Sequence, residues 1–421
     1  MKRSAALLIS LSCNLRCPYC FAQSTMGPSG FMSFAAFRNA VDFIVRGARA
    51  HDEVKIRLAG GEPTLNPEFK RMLGYLKRLK GLKVQLLTNG TFKREILKDL
   101  LTFDRERLSL LVNVNDPRRI GGRKFSTVKR NVAALSTYNT VIGINFFSPR
   151  NSWRYVTDMA TEHGLKIRWS LTHPVGGDHL FVTPSNFKAV GKTVLGFLKE
   201  CSEGDIPTNA DCSTPLCLFE GRGGMIPDLT PGSTFCNPPV VIDPDLNVFL
   251  CYEQDKRKLS SFRSAAAMFR HFEAMKKGRG SFFWLKECRT CSYRDFMRCG
   301  GGCPYHAQQA NDINLASIEE RGLRDIFFHF NLSFRECSNR KGARILKDLI
   351  PKGRAVVMDR FMYDMVKACR KHSGGRLSGV FDEMRKAYRS LNFEEFVGVV
   401  QHFVGEGYLN VWAQVCNRGR R

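Results

Sequence analysis

Cys13, Cys17 and Cys20 lie close together, with three and then two residues between them, directly after a short apolar run. Three thiols so near one another can converge on one metal centre. A tetrahedral zinc site takes four ligands and usually pairs one C-x2-C unit with another. The wider first gap and the lone third cysteine suit it poorly. A disulfide framework would leave one thiol over. A cubic iron–sulfur cluster normally takes four thiolates. Held by three, it keeps one iron open to another molecule, as catalytic metal sites keep a position open. Lys2, Arg3, the apolar residues 5–11 and Cys13 also have the outline of a lipidation signal. That apolar stretch is short and contains Ser10, and it reads as a strand instead.

The elements that must position this loop follow from hydrophobic spacing. Residues 5–11, 54–59, 84–87, 108–114, 141–147 and 165–171 read as strands. Residues 34–49, with Phe37, Val41, Ile44 and Ala48 on one stripe, read as a helix. So do residues 67–79, 92–101, 124–138 and 152–163. Six strands alternating with helices predict a parallel sheet with helical crossovers. In barrels of this kind, ligand sites lie at the C-terminal ends of the strands. The cysteines follow the first strand there. Gly60, Gly61, Glu62, Pro63 and Thr64 follow the second; Thr88, Asn89 and Gly90 the third; Asn113, Asn115, Asp116 and Pro117 the fourth. Paired glycines let backbone approach a ligand and expose carbonyls. Gly-Gly, Pro and Asn-Gly are also ordinary turn formers.

With an aromatic residue, Tyr19, before its last cysteine, the run resembles the signature of radical S-adenosylmethionine (radical SAM) enzymes. The resemblance implies an α/β fold, a partial (β/α)6 TIM-type barrel. It implies a 4Fe-4S cluster on Cys13, Cys17 and Cys20 whose open iron chelates the amino and carboxylate groups of SAM. The reduced cluster would cleave SAM to methionine and a 5'-deoxyadenosyl radical, which abstracts hydrogen from a substrate. An electron donor of the flavodoxin or ferredoxin type is implied as partner. In the same resemblance Gly60, Gly61, Glu62 and Pro63 bind the methionine amino group, through backbone carbonyls and the glutamate. Thr88 and Asn89 contact ribose, and Tyr19 lies near the adenine. Asn113 stands where relatives often carry a serine near the SAM carboxylate or ribose. Many relatives read Ser-x-Asp-Gly-Pro here, and this chain departs from that pattern at Asn113, Asn115 and Asp116.

A second cysteine field occupies residues 201–340. Cys236 and Cys251 bracket two short strands and a turn. Cys288 and Cys291 follow, then Cys299 and Cys303 around a glycine run. This order resembles the SPASM extension, which carries auxiliary 4Fe-4S clusters. Where that pattern has an x5 gap, seven residues separate Cys291 from Cys299, and Leu246 takes the place of its glycine. The resemblance implies one cluster on Cys236, Cys251, Cys303 and either Cys217 or Cys212. The other would use Cys288, Cys291, Cys299 and Cys337. A pair of zinc sites is the alternative, since C-x2-C is a zinc signature too. Cys201, Cys369 and Cys416 read as ordinary buried thiols.

Residues 341–421 read as a mostly helical module, after a barrel at 1–200 and the cysteine field at 201–340. Helices are expected over 356–369, 380–388 and from a cap at Asn392, with a strand over 408–415. Helices then a strand could form a small winged-helix-like unit. Similar modules in peptide-maturing radical SAM enzymes bind a precursor's leader; a helical cap is the other reading.

The chain has 421 residues, of which 43% are hydrophobic, enough for buried cores. No apolar run is long enough to imply a membrane span. Fifteen cysteines point to a reducing cytoplasm and metal ligation. A formal net charge of +26 favours nucleic acid, an acidic peptide or an acidic redox partner, or is simply a basic surface. The resemblance implies a radical SAM/SPASM oxidoreductase or peptide-modifying enzyme. Its substrate would be a ribosomally made peptide or protein, and its outcome a crosslink, an oxidation or an epimerisation. RNA or a small molecule is the alternative substrate. A non-catalytic, zinc-stabilised binding protein is the alternative of another class.

Overall fold

A computed structural model of the chain describes residues 2–20, 22, 30–48, 52–172, 180–182, 186–219, 237–251, 256–277, 299, 302–303, 326–330, 334–338, 344–348, 355–373, 375–405 and 409–413. The chain divides into two compact units, Met1–Ser233 with Asn237–Lys276, and Thr234–Cys236 with Lys277–Arg421. Among the described residues no helix is long and apolar enough to cross a membrane.

The first unit is built as strand and helix in turn. Strands β1 (Lys2–Ser10), β2 (Glu53–Gly60), β3 (Leu82–Thr88), β4 (Leu108–Asn113), β5 (Asn139–Phe146) and β6 (Lys166–Leu171) are parallel neighbours in sequence order. Between them come α1 (Phe34–Val45), α2 (Phe69–Arg78), α3 (Arg94–Leu101), α4 (Pro117–Ile120), α5 (Gly122–Leu135) and α6 (Arg154–His163). These are the six strands that the spacing predicts, in a mixed α/β fold with a parallel sheet. Short β-branched and leucine-rich runs make strands because their side chains pack on a pleated surface. In β3 and β4 alternate residues are buried, and Val84, Leu86, Leu108 and Leu110 carry the core on one face.

The sheet continues past that point. Helix α7 (Phe187–Glu203) leads into β7 (Thr208–Ala210), which pairs with β6. On the other edge β8 (Val240–Ile242) lies parallel to β1, and β9 (Asn247–Leu250) and β10 (Arg257–Lys258) add antiparallel. Helix α8 (Ala265–Lys277) follows. Arg3 is buried in β1 and caps α1, donating to the carbonyl oxygens of Ile44 (3.1 Å), Arg46 (3.0 Å) and Gly47 (2.7 Å).

The β8–β9 turn shows how the expected glycine is replaced. Leu246 sits at φ +61°, the left-handed region that glycine adopts at no steric cost. The turn is imposed by its neighbours. Asp243 accepts from the backbone N–H of Asp245 (3.1 Å) and of Asn247 (2.9 Å), and Leu246 N–H donates to Asp243 O (3.0 Å). Leu246→Gly is therefore expected to raise stability by about 1 kcal/mol. Chemical denaturation checks it, and a loss of stability would contradict it.

The second unit contains β11 (Ile326–Phe330), antiparallel to β15 (Leu409–Ala413). A separate antiparallel sheet is formed by β12 (Phe334–Ser338), β13 (Arg344–Asp348) and β14 (Ala355–Val357). Helices α9 (Arg360–Lys371), α10 (Leu377–Ala387) and α11 (Phe393–Gly405) then pack round Met365, Cys369, Val380, Met384, Phe396 and Val400. Asn392 caps α11 as expected: its Oδ1 accepts from Glu395 N–H (2.9 Å), and Glu395 accepts from Asn392 N–H (3.1 Å). One boundary differs from the expectation. Residues 356–357 belong to a strand, because Asp359 accepts from Met362 N–H (2.7 Å) and starts the helix there.

Candidate active site

The loops after β1, β2, β3 and β4 meet at the C-terminal edge of the sheet, and backbone sets their spacing. Gly60 ends β2 at φ +140°, and a Cβ there would stand 2.0 Å from the Ser10 carbonyl oxygen. One on Gly61 would stand 2.4 Å from that of Ser12. In that space Gly61 N–H donates to Ser10 O (2.7 Å) and Glu62 N–H to Ser12 O (2.8 Å). The two glycines are there because one loop's backbone lies flat on the other's. Pro63 is buried and opens a single helical turn, Pro63–Leu65, for which its fixed φ is suited.

Glu62 is fully buried. Its carboxylate accepts from the hydroxyls of Thr64 (2.6 Å) and Thr88 (2.7 Å) and from Asn89 N–H (2.8 Å). Burial pushes its pKa up, and these bonds work in the opposite direction. Glu62 thus ties the second loop to the third. Asn89 reaches on towards the first: its Nδ2 donates to Asn14 Oδ1 (2.9 Å) and lies 3.7 Å from Cys13 Sγ. Leu15 N–H points at the same sulfur from 3.4 Å. Gly90 turns at φ +76°, and Asn131 Nδ2 fixes the turn by donating to the carbonyls of Gly90 and Phe92, both at 2.8 Å.

Across the loop, Cys17 Sγ is 3.3 Å from Asn115 Oδ1, which also accepts from the Tyr19 hydroxyl. Asn113 Nδ2 donates to that hydroxyl (3.2 Å). Asn113 Oδ1 accepts from Asn145 Nδ2 (2.9 Å), and Asn145 Oδ1 from the Ser170 hydroxyl (2.5 Å). An amide ladder therefore crosses β4, β5 and β6. The Tyr19 ring stacks on Phe147, with centroids 5.1 Å apart. Tyr19→Phe removes the hydroxyl's bonds to Asn115 and Asn113 but keeps this stack. It is expected to cost about 1 kcal/mol, read by chemical denaturation; a cost of several kcal/mol would show that the ladder depends on the hydroxyl.

Burial pushes the Cys17 thiol up to about 12, with the charges of Cys20 and Cys13 adding to the rise. Burial raises Cys13 as well, and the Tyr19 hydroxyl well above its ordinary value. Among the described residues no three His, Cys, Asp or Glu side chains close on a single ion. A tetrahedral ion needs its sulfurs about 2.3 Å from one point. A cubic cluster binds each thiolate at a different iron and spaces them wider. The donors aimed at Cys13 are of the kind that steady a ligated thiolate. The donor set of this loop, three thiols with an N–H and an amide aimed at Cys13, is of a kind that suits such a cluster.

The spacing of residues does not disclose Asn14, Asn145, Phe147 or Ser170. The available signal is a polar residue near the end of an apolar strand, at Asn145 in β5 and Ser170 in β6. Of the second cysteine field, Cys251 follows β9 at φ +54°, Cys217 lies in the turn Leu216–Phe219, and Cys212 is exposed. Cys299 and Cys303 are buried, and Cys337 lies on β12. Cys236, Cys288 and Cys291 lie outside the described residues, as does Cys416. Cys201 and Cys369 are buried.

The Radical SAM superfamily matches residues 7–155. A GTP 3',8-cyclase of Aeromonas hydrophila subsp. hydrophila is 30% identical over 153 residues, 33% of this chain and 43% of that protein. The chain spans about half or less of the length of the curated relatives it matches. In fold it is similar to anSMEcpe with bound AdoMet (TM-score 0.52, 20% identity, covering 73% of this chain and 86% of that one). It is also similar to Streptococcus suis SuiB bound to the precursor peptide SuiA (TM-score 0.52, 13% identity, covering 73% of each chain).

Proposed function

We propose, from the radical SAM domain at residues 7–155, that the chain reductively cleaves S-adenosylmethionine and abstracts hydrogen from a ribosomally made peptide or protein. The observation that carries the chemistry is the junction of the cysteine loop with Gly60, Gly61 and Glu62, held by backbone bonds of 2.7 and 2.8 Å. Cys13, Cys17 and Cys20 would hold a 4Fe-4S cluster, which would supply the electron that splits SAM into methionine and a 5'-deoxyadenosyl radical.

The remaining roles fall to the chain itself. Gly60 and Gly61 let the second loop lie flat on the cysteine loop, which brings the strand-end residues up to the place where the methionine end of SAM would bind. Glu62 is the post that holds the second loop against Thr88 and Asn89. Tyr19 and Phe147 offer a flat wall for a purine, and Asn113 and Asn145 offer polar atoms beside it. The cysteine field at 201–340 would hold two auxiliary 4Fe-4S clusters, on the ligands the resemblance implies. The electron would come from a flavodoxin- or ferredoxin-type donor.

The peptide reading is supported by the second unit. Among the described residues its three-stranded sheet has β12 and β14 at the edges, and three helices follow. An extended peptide can add a strand to such an edge through main-chain bonds. A smaller, nucleotide-like substrate is the second reading, favoured by the relative named for GTP. RNA is a third, resting on the net charge of +26, and would show as binding that falls steeply with salt.

Metal analysis separates the enzyme from a zinc-stabilised binding protein. About twelve irons per chain with matching sulfide are expected if three cubic clusters form. Stoichiometric zinc in their place would overturn the reading.

A further inference from the structure

The cysteine loop meets two other segments at one exposed residue, Asn14. Its Nδ2 donates to the Thr91 hydroxyl (2.8 Å) in the loop before α3, and its carbonyl oxygen accepts from Lys124 Nζ at the start of α5 (3.0 Å). Five cations lie within three residues of these contacts: Arg16, Lys93, Arg94, Arg123 and Lys124. All five are exposed. Among the described residues none of them is in an ion pair. Within residues 14–20, 91–95 and 121–124 one carboxylate, Glu95, stands against them.

A surface of one sign adds nothing to the fold. Its effect is to raise the local concentration of an anionic partner and to speed the encounter. The place of this surface says which partner. Asn14 and Arg16 lie between Cys13 and Cys17 in the chain; they are exposed, while the two thiols are partly buried. The charged surface is thus joined to the thiols by the shortest stretch of backbone. Electron transfer weakens steeply with distance, so a donor must approach where the cover is thin. The exposed large apolar side chains among the described residues, Leu65, Leu101, Leu180 and Phe393, all lie outside these three segments. A charged surface without an apolar centre suits the small, short-lived contacts of redox partners.

We propose that Arg16, Lys93, Arg94, Arg123 and Lys124 form the docking surface for an acidic flavodoxin, facing the carboxylates around its exposed flavin edge. This rests on the radical SAM reading above and adds where the electron enters. One electron moves: the anionic flavin hydroquinone is oxidised to the neutral semiquinone, and the electron passes to the iron–sulfur group that Cys13, Cys17 and Cys20 would hold. No bond forms or breaks, and no proton moves.

Two double variants test the surface. Arg94→Glu with Arg123→Glu reverses two of its charges. Both positions are in the first turn of a helix, where glutamate is favoured, so the fold should hold. Lys188→Glu with Lys192→Glu reverses two exposed cations on α7 instead. The probe is a purified bacterial flavodoxin of net negative charge. It is added as hydroquinone to the reconstituted full chain without air or SAM, and semiquinone formation is followed by stopped flow. In the parent the second-order rate is expected to fall several-fold from low to physiological salt. Reversal at Arg94 and Arg123 should slow it about tenfold at low salt and flatten that dependence, and the α7 pair should leave it within about twofold. Dithionite is small and needs no docking, so with SAM it should give 5'-deoxyadenosine at similar rates in all three proteins. A parent-like flavin rate after reversal at Arg94 and Arg123, an equal loss in the α7 pair, or a parent rate indifferent to salt would overturn the proposal. An equal loss with dithionite would too, since the charges would then act on the site and not on the donor. Absence of 5'-deoxyadenosine from the parent with dithionite counts against the enzyme reading, while the flavin rates count for or against the docking surface.

Discussion

Replacing Cys13, Cys17 and Cys20 together by alanine is expected to remove about four irons per chain and, with them, all 5'-deoxyadenosine formation. The fold should survive. The loop's path is set by backbone bonds that the substitutions leave in place, among them Cys20 N–H to Cys17 O (3.0 Å) and Glu62 N–H to Ser12 O (2.8 Å). None of the three thiols is fully buried, so no deep cavity opens. The stability change should stay within about 1 kcal/mol. Metal analysis and thermal melting of the variant check both halves. A variant that melts normally and keeps its full complement of iron would show that the cluster is held elsewhere.

Gly60→Ala is the substitution expected to cost most stability. The added methyl would lie 2.0 Å from the Ser10 carbonyl oxygen, at a φ of +140° that an alanine rarely adopts. Neither atom can give way cheaply, since both belong to the central strands β1 and β2. Strain and overpacking together should cost about 3 kcal/mol or more. In a unit of this size that lowers the melting temperature by roughly 5–10 °C. The contrast is Gly74→Ala, inside α2 with nothing within 4 Å of the new methyl. It should be neutral or gain up to about 1 kcal/mol. Equal melting of the two variants would mean that the loops do not lie as close as described.

Much of the barrel was legible because its signals are local. A run such as 84–87 is apolar whatever surrounds it, and the motif residues fall at strand ends by counting. Gly60 and Gly61 could be read as a close approach, but not as an approach to the backbone of Ser10 and Ser12, which lie some fifty residues away. For the same reason the ladder from Tyr19 through Asn113 and Asn145 to Ser170 was not legible. Each member is an ordinary polar residue until parallel pairing of β4, β5 and β6 sets them side by side. Glu62 illustrates the limit most clearly. Its place in the motif was visible, but its bonds to Thr64, Thr88 and Asn89 were not. In the second unit, β12, β13 and β14 escaped because short antiparallel strands are held by cross-strand pairing, and residues 356–357 continue the spacing of the helix that follows.

The central claim is that this site cleaves S-adenosylmethionine reductively. Anaerobic incubation of the parent protein with SAM and dithionite, with 5'-deoxyadenosine and methionine quantified together, tests it most directly. Both products are expected in equal amounts, and neither from the triple cysteine variant. No 5'-deoxyadenosine above a protein-free control, or an equal rate from that variant, would contradict the assignment.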